Sequence, residues 1–217
     1  MNTKLLNNNS KDLIIFLTGW GCDDIQFKSM TSTKDVLLCW DYSDLNFSFD
    51  FSKYENIYLL TYSAGVYVAG LIQDKLPNLK YKIAINGNPL MFDSYYGISD
   101  DILKLMYELD LENYMQFRKD YLVYSVNELE FFNNNASVRS FESCADELKK
   151  LEQYYSADKI KPVEYDIAIL SDNDKIFNPK HQMEYFKGKY KLLKNHAHNV
   201  FATFRTYDEI FNYINMN

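Results

Sequence analysis

Six short apolar runs, separated by longer amphipathic stretches, leave this chain few architectures open. They fall at 13–17, 36–40, 57–60, 83–85, 167–170 and 190–193. Most are continuous rather than alternating, as in strands buried on both faces. Helical patterns lie between them or after the last, notably at 64–76, 178–187 and 205–215. Strands alternating with helices predict an α/β fold, a mostly parallel sheet with helices on both faces. With 217 residues, 47% of them hydrophobic, the chain has the size of one well-packed domain spanning 1–217.

The alternation lapses at about 94–160. There the pattern is polar and helical, with apolar residues at Ile102, Leu103, Leu105, Met106 and Leu109, and no parallel-type strand is evident. A helical cap inserted between the strand ending near Asn86 and the one beginning near Tyr165 is expected. Such a cap would cover a site, exclude water and shape a pocket. A helical layer that only completes the core is the other reading.

The run Ile57-Tyr58-Leu59-Leu60-Thr61-Tyr62 ends at Ser63-Ala64-Gly65, and a helix-like run begins at once. This is the form of a nucleophile elbow, in which a sharp strand-to-helix turn lifts a serine Oγ above the sheet edge. The first glycine of the usual G-x-S-x-G is replaced by Thr61. After later strand-like runs come Asp172 and Asp174, then His196 and His198. The order Ser, Asp, His is that of α/β-hydrolases, and each residue follows a predicted strand, where such sheets gather catalytic groups. Ser63, Asp174 and His198 are therefore the expected triad. Asp174 is preferred to Asp172 because it lies on the loop before a helix opened near Pro179, and His198 to His196 because it stands nearer a helix start. His181 falls inside a helical stretch and reads as a surface residue. No metal site is expected, since the histidines lack further ligands at suitable spacing.

An acyl-transfer site needs two N–H donors for the oxyanion, one after the nucleophile and one from an early strand-to-helix loop. Ala64 supplies the first. Thr18-Gly19-Trp20-Gly21 follows the first buried run, so Trp20 is the expected second donor, with its indole available as a pocket wall. Tyr62, beside the nucleophile, is the other expected substrate-binding residue.

Four segments together resemble the BioG-type proteins: Phe16-Leu17-Thr18-Gly19-Trp20-Gly21-Cys22-Asp23, Tyr62-Ser63-Ala64-Gly65, Ala84-Ile85-Asn86-Gly87-Asn88-Pro89 and Asp174-Lys175-Ile176-Phe177. These are small α/β-hydrolases described as pimeloyl-acyl-carrier-protein methyl ester esterases of biotin synthesis. The resemblance covers most of the core and is thin at 94–160. It implies a serine carboxylesterase that cleaves the methyl ester of a pimeloyl chain held on acyl carrier protein, without a cofactor. An esterase or thioesterase on small free acyl esters, and a non-catalytic binding protein of the same fold, remain the alternatives.

The net charge of −7 argues against general nucleic-acid binding. It also opposes an acidic carrier, so docking would need a local basic patch. Arg118, Arg139 and Lys150 are the expected contributors, with Lys119, Lys149, Lys159 and Lys161 nearby. Cys22, Cys39 and Cys144 show neither disulfide nor metal spacing and suit reduced, buried thiols in a cytoplasmic protein. No run approaches the ~18 apolar residues that span a bilayer.

Overall fold

All six apolar runs form strands, and a seventh joins them at the edge. The computed structural model describes residues 1–155 and 161–215. The strands are β1 (Asn2–Leu6), β2 (Asp12–Leu17), β3 (Asp35–Trp40), β4 (Asn56–Tyr62), β5 (Tyr81–Ile85), β6 (Ile167–Ser171) and β7 (Tyr190–Leu193). They lie in the order β1-β3-β2-β4-β5-β6-β7, all parallel except β1, which runs antiparallel to β3. The strand order reverses at β2, whose two neighbours are β3 and β4. In an open parallel sheet, ligands gather outside the carboxyl ends of the strands at such a reversal. Leu17 of β2 pairs with Cys39 on one side and Thr61 on the other. The loop after β2 and the turn after β4 therefore leave the sheet side by side.

Alternate residues of the strands feed two separate cores. Leu13, Ile15 and Leu17 face α1 (Ala64–Leu71) and α6 (Pro179–Phe186), whereas Ile14 and Phe16 face α7 (Tyr207–Tyr213). Burial on both faces is why these strands read as continuous apolar runs. The α6 helix opens where the sequence says it should. Asn178 accepts the Lys180 N–H as N-cap and Pro179 takes the first position, where its missing N–H costs nothing.

Not every crossover is helical. Between β2 and β3 there is only a short 3-10 turn, Ile25–Phe27, and 41–55 holds no helix at all. In that second connection Asp41, Asp44 and Asp50 each accept the N–H two residues on, forming tight side-chain turns that compete with a helix. Phe47 and Tyr54 fill the space against the sheet instead, with Phe49 and Phe51 packed beside them.

Among the described residues four helices stand between β5 and β6: α2 (Asp100–Tyr107), α3 (Tyr114–Leu122), α4 (Val126–Asn134) and α5 (Phe141–Tyr154). The longest, α5, buries Cys144, Glu147, Leu148 and Leu151, a helical stripe turned to the first core. Among the described residues no helix is long and apolar enough to cross a membrane.

Two of the three side chains expected on a basic docking patch are not on the surface. Arg118 is 4% exposed. Arg139 is partly buried, its side chain only 8% exposed and held by Glu147 at 2.7 Å and Asp41 at 3.1 Å. Arg118 lies on α3 and Arg139 in the loop before α5, and both side chains meet other parts of the chain rather than water. Lys149 and Lys150 are exposed on α5, and Lys161 is exposed as well. Lys159 lies outside the described residues.

Candidate active site

Ser63 occupies the turn between β4 and α1 with φ 53° and ψ −122°. A non-glycine residue in this sparsely populated region is strained, and the surrounding backbone must hold it there. The Ser63 N–H donates to Ile85 O at 2.9 Å, and its own carbonyl accepts the Val66 N–H at 3.0 Å. Two glycines permit the close packing. A Cβ on Gly65 would lie 2.2 Å from Leu17 O, and one on Gly19 would meet the Tyr62 ring at 3.0 Å and Ser63 Cβ at 3.1 Å. Thr61 stands comfortably where the usual motif has glycine, because its hydroxyl reaches Ile83 O and the Tyr165 hydroxyl, both at 3.1 Å.

Ser63, His198 and Asp174 form one hydrogen-bonded chain. His198 Nε2 is 2.9 Å from Ser63 Oγ, and Nδ1 is 2.8 Å from Asp174 Oδ2. A carboxylate only accepts, so Nδ1 carries the proton and Nε2 is left to receive that of serine. The other oxygen of Asp174 accepts the N–H groups of Ile176 and Phe177. The imidazole lies between the Phe177 ring, stacked at 5.9 Å, and the Tyr62 ring at 5.1 Å. Burial holds the Tyr62 phenol well above its ordinary value, so it stays neutral beside the histidine.

The competing residues have other tasks. Asp172 accepts the Asn195 and His196 N–H groups and shapes the turn before His198. His196 is bound by Lys194 O and the Thr203 hydroxyl. His181 stacks on Tyr95 at 3.9 Å and donates to its carbonyl.

Trp20 and Ala64 flank Ser63, and neither N–H makes a hydrogen bond among the described residues. The Trp20 indole does two things at once. It walls a cavity that contains Ser63 and His198, and its Nε1–H donates to Cys144 O of α5 at 2.6 Å. That cavity is narrow, with about 40 Å³ open to a water-sized sphere, and Met91, Ile98, Met106 and Phe117 form its apolar wall. Cys22 also lines it, but burial pushes its thiol up to about 12 and removes it as a nucleophile. Among the described residues no group of His, Cys, Asp or Glu is arranged to hold a metal ion.

These features can be set beside known proteins. The family described as pimeloyl-ACP methyl esterase BioG matches residues 1–210. The chain belongs to the BioG family. A solved structure of BioG from Haemophilus influenzae superposes with a TM-score of 0.84 at 28% identity, covering 96% of this chain and 99% of that one. A lipase-esterase related protein from Clostridium acetobutylicum, at 17% identity and a TM-score of 0.66, shares the α/β-hydrolase fold over 97% of this chain and 98% of its own. A malonyl-[acyl-carrier protein] O-methyltransferase from Bacteroides fragilis is 32% identical over 176 residues, or 79% of this chain. The chain spans only 36% of that relative's length.

One supporting residue of this BioG-family site escaped sequence reasoning. Asn86, buried at φ 42°, donates to His198 O at 2.7 Å and Ser171 Oγ at 2.8 Å, and accepts the Ser171 N–H. It ties the ends of β5 and β6 to the loop that carries the histidine. Its signals were its place in the 84–89 segment that carries the resemblance and its position directly after a buried run, as a residue type that tolerates positive φ; neither pointed to its bond with the histidine loop. Asn86→Ala should lower stability by about 1–3 kcal/mol. It should also reduce kcat about 10- to 100-fold with little change in KM, because the histidine shifts. Thermal melts and ester kinetics on the same sample would check both.

Proposed function

We propose that this BioG-family chain is a serine carboxylesterase that hydrolyses the methyl ester of a pimeloyl chain on acyl carrier protein, with Ser63, His198 and Asp174 as its triad. The observation that carries the reading is the Ser63–His198–Asp174 chain opening on an apolar cavity. Ser63 Oγ attacks the ester carbonyl while His198 Nε2 takes its proton. The N–H groups of Ala64 and Trp20 receive the oxyanion. His198 returns the proton to methanol as it leaves. A water then attacks the acyl-serine by the same route in reverse, releasing a carboxylate. Asp174 fixes the tautomer and stabilises the imidazolium. The insertion at about 94–160 serves as the cap, and Trp20 and Tyr62 border the acyl chain. Three buried free thiols suit a cytoplasmic enzyme.

The relative named for methylating an acyl-carrier-linked malonyl group supports a carrier-bound methyl ester as substrate, since this reaction would remove such a group later. The carrier would dock on the exposed lysines, Lys149 and Lys150 of α5 foremost. The test compares pimeloyl-carrier methyl ester with the free methyl ester. Both should be hydrolysed, with higher kcat/KM on the carrier and no activity in Ser63→Ala. Preference for the free ester would remove the carrier from the reading.

Charge reversal at Lys149 and Lys150 should lower kcat/KM for the carrier-linked ester and leave the free ester nearly unchanged. The carrier reaction alone should weaken with salt, because exposed charges are screened beyond about 10 Å at 0.1 M. Equal losses on both substrates would indicate damage to the insertion rather than lost docking.

A further inference from the structure

The two buried arginines of the insertion differ in a way that bears on the chemistry of the cavity. Arg139 is fully engaged: Glu147, Asp41, Cys22 O and Ser143 all accept from it. Arg118 is the more deeply buried of the two, at 4% exposure, yet no carboxylate lies within 4 Å of it among the described residues. Its one protein hydrogen bond there is a long one, from Nη1 to the Tyr114 hydroxyl at 3.4 Å. The guanidinium is fixed between two rings, 5.5 Å from the centre of Tyr114 and 5.4 Å from that of Phe132. It forms part of the wall of the cavity that contains Ser63 and His198. The other charges nearby are committed elsewhere. Asp174 is bound to His198, and the Glu128 carboxylate accepts the Tyr124 N–H at 2.5 Å.

A buried guanidinium without a counter-ion is costly, and its planar fork of five N–H donors matches a carboxylate. We propose that Arg118 is an anion receptor in the cavity wall, which binds the carboxylate of an aliphatic acid such as ester hydrolysis produces. The proposal rests on the esterase reading for the origin of that carboxylate. A methyl ester enters the cavity uncharged, whereas the acid leaves it with a negative charge. Arg118 therefore favours the hydrolysed state over the ester, and product should bind more tightly than its neutral counterpart. Stacking on two rings keeps the guanidinium in place while the cavity is empty.

The test begins with the wild-type protein and needs no variant. Binding of hexanoate and of hexanamide, which are alike in shape, is measured by calorimetry at neutral pH. The carboxylate should bind at least about tenfold more tightly, despite the net charge of −7. Arg118→Met should abolish that preference and Arg118→Lys keep part of it. Equal or tighter amide binding, no measurable carboxylate binding, or a preference that survives in a folded Arg118→Met would each overturn the proposal. Because binding is read without turnover, failure of the esterase reading would appear separately. Ester hydrolysis would be absent while the carboxylate preference stood.

Discussion

Ser63→Ala should lower kcat for methyl ester hydrolysis by roughly 10⁵-fold with little change in KM. His198→Ala should do the same, and the double variant should be hardly worse than either, because the hydrogen-bonded pair acts as one unit. Asp174→Asn should cost about 10⁴-fold, since an amide stabilises the wrong imidazole tautomer. Asp172→Asn provides the internal control. Its carboxylate holds the Asn195–His196 turn and never touches the imidazole, so melting temperature should fall while kcat stays within about tenfold. If Asp172→Asn were the more damaging of the two aspartate variants to kcat, the third member of the triad would be misassigned. Steady-state kinetics on a short methyl ester decide it.

Glu147→Ala should strongly destabilise the fold. The carboxylate is fully buried and accepts from three partners: the Gly21 N–H at 3.0 Å, the Tyr42 N–H at 2.8 Å and Arg139 at 2.7 Å. Removing it leaves a buried guanidinium short of its principal partner and two buried N–H groups unpaired. Breaking such a pair costs about 3–5 kcal/mol. In a chain of this size that is a fall in melting temperature of roughly 10 °C. Because Gly21 belongs to the loop carrying Trp20, kcat should also fall even where the protein remains folded. Glu147→Gln keeps one acceptor and should be intermediate in both respects. An unchanged melting temperature in Glu147→Ala would mean that α5 and the loop are held by other contacts.

Strands buried on both faces announce themselves, and six of seven could be read directly. The missed one, β1, has the sequence Asn-Thr-Lys-Leu-Leu and lies at the sheet edge, where solvent exposure removes the apolar signal. The helices at 64–71, 179–186 and 207–213 were legible from periodicity, but the missing crossover helix at 41–55 was not. There, Asp-x-Ser and Asp-x-Asn turns compete locally with helix, and nothing in periodicity reveals that aromatic side chains take over the packing. The residues of the hydrogen-bonded chain were legible because each follows a strand in a fixed order. Arg118 and Arg139 were misread as surface residues because an arginine in a polar, helix-patterned stretch looks the same whether it meets water or another part of the chain; Arg118 lies on α3 and Arg139 in the loop before α5. The partners that decide the matter, Asp41 and Cys22 among them, are remote in sequence.

The two hydrogen bonds that α5 makes to the loop after β2, through the Trp20 indole and the Gly21 N–H, bear on how a substrate gets in. Swinging α5 away from the sheet would have to break both and pull on the loop packed against Ser63. That side of the cavity is therefore a fixed wall, and any movement that widens the site falls to α2 and α3, which supply Met106 and Phe117 to the opposite lining.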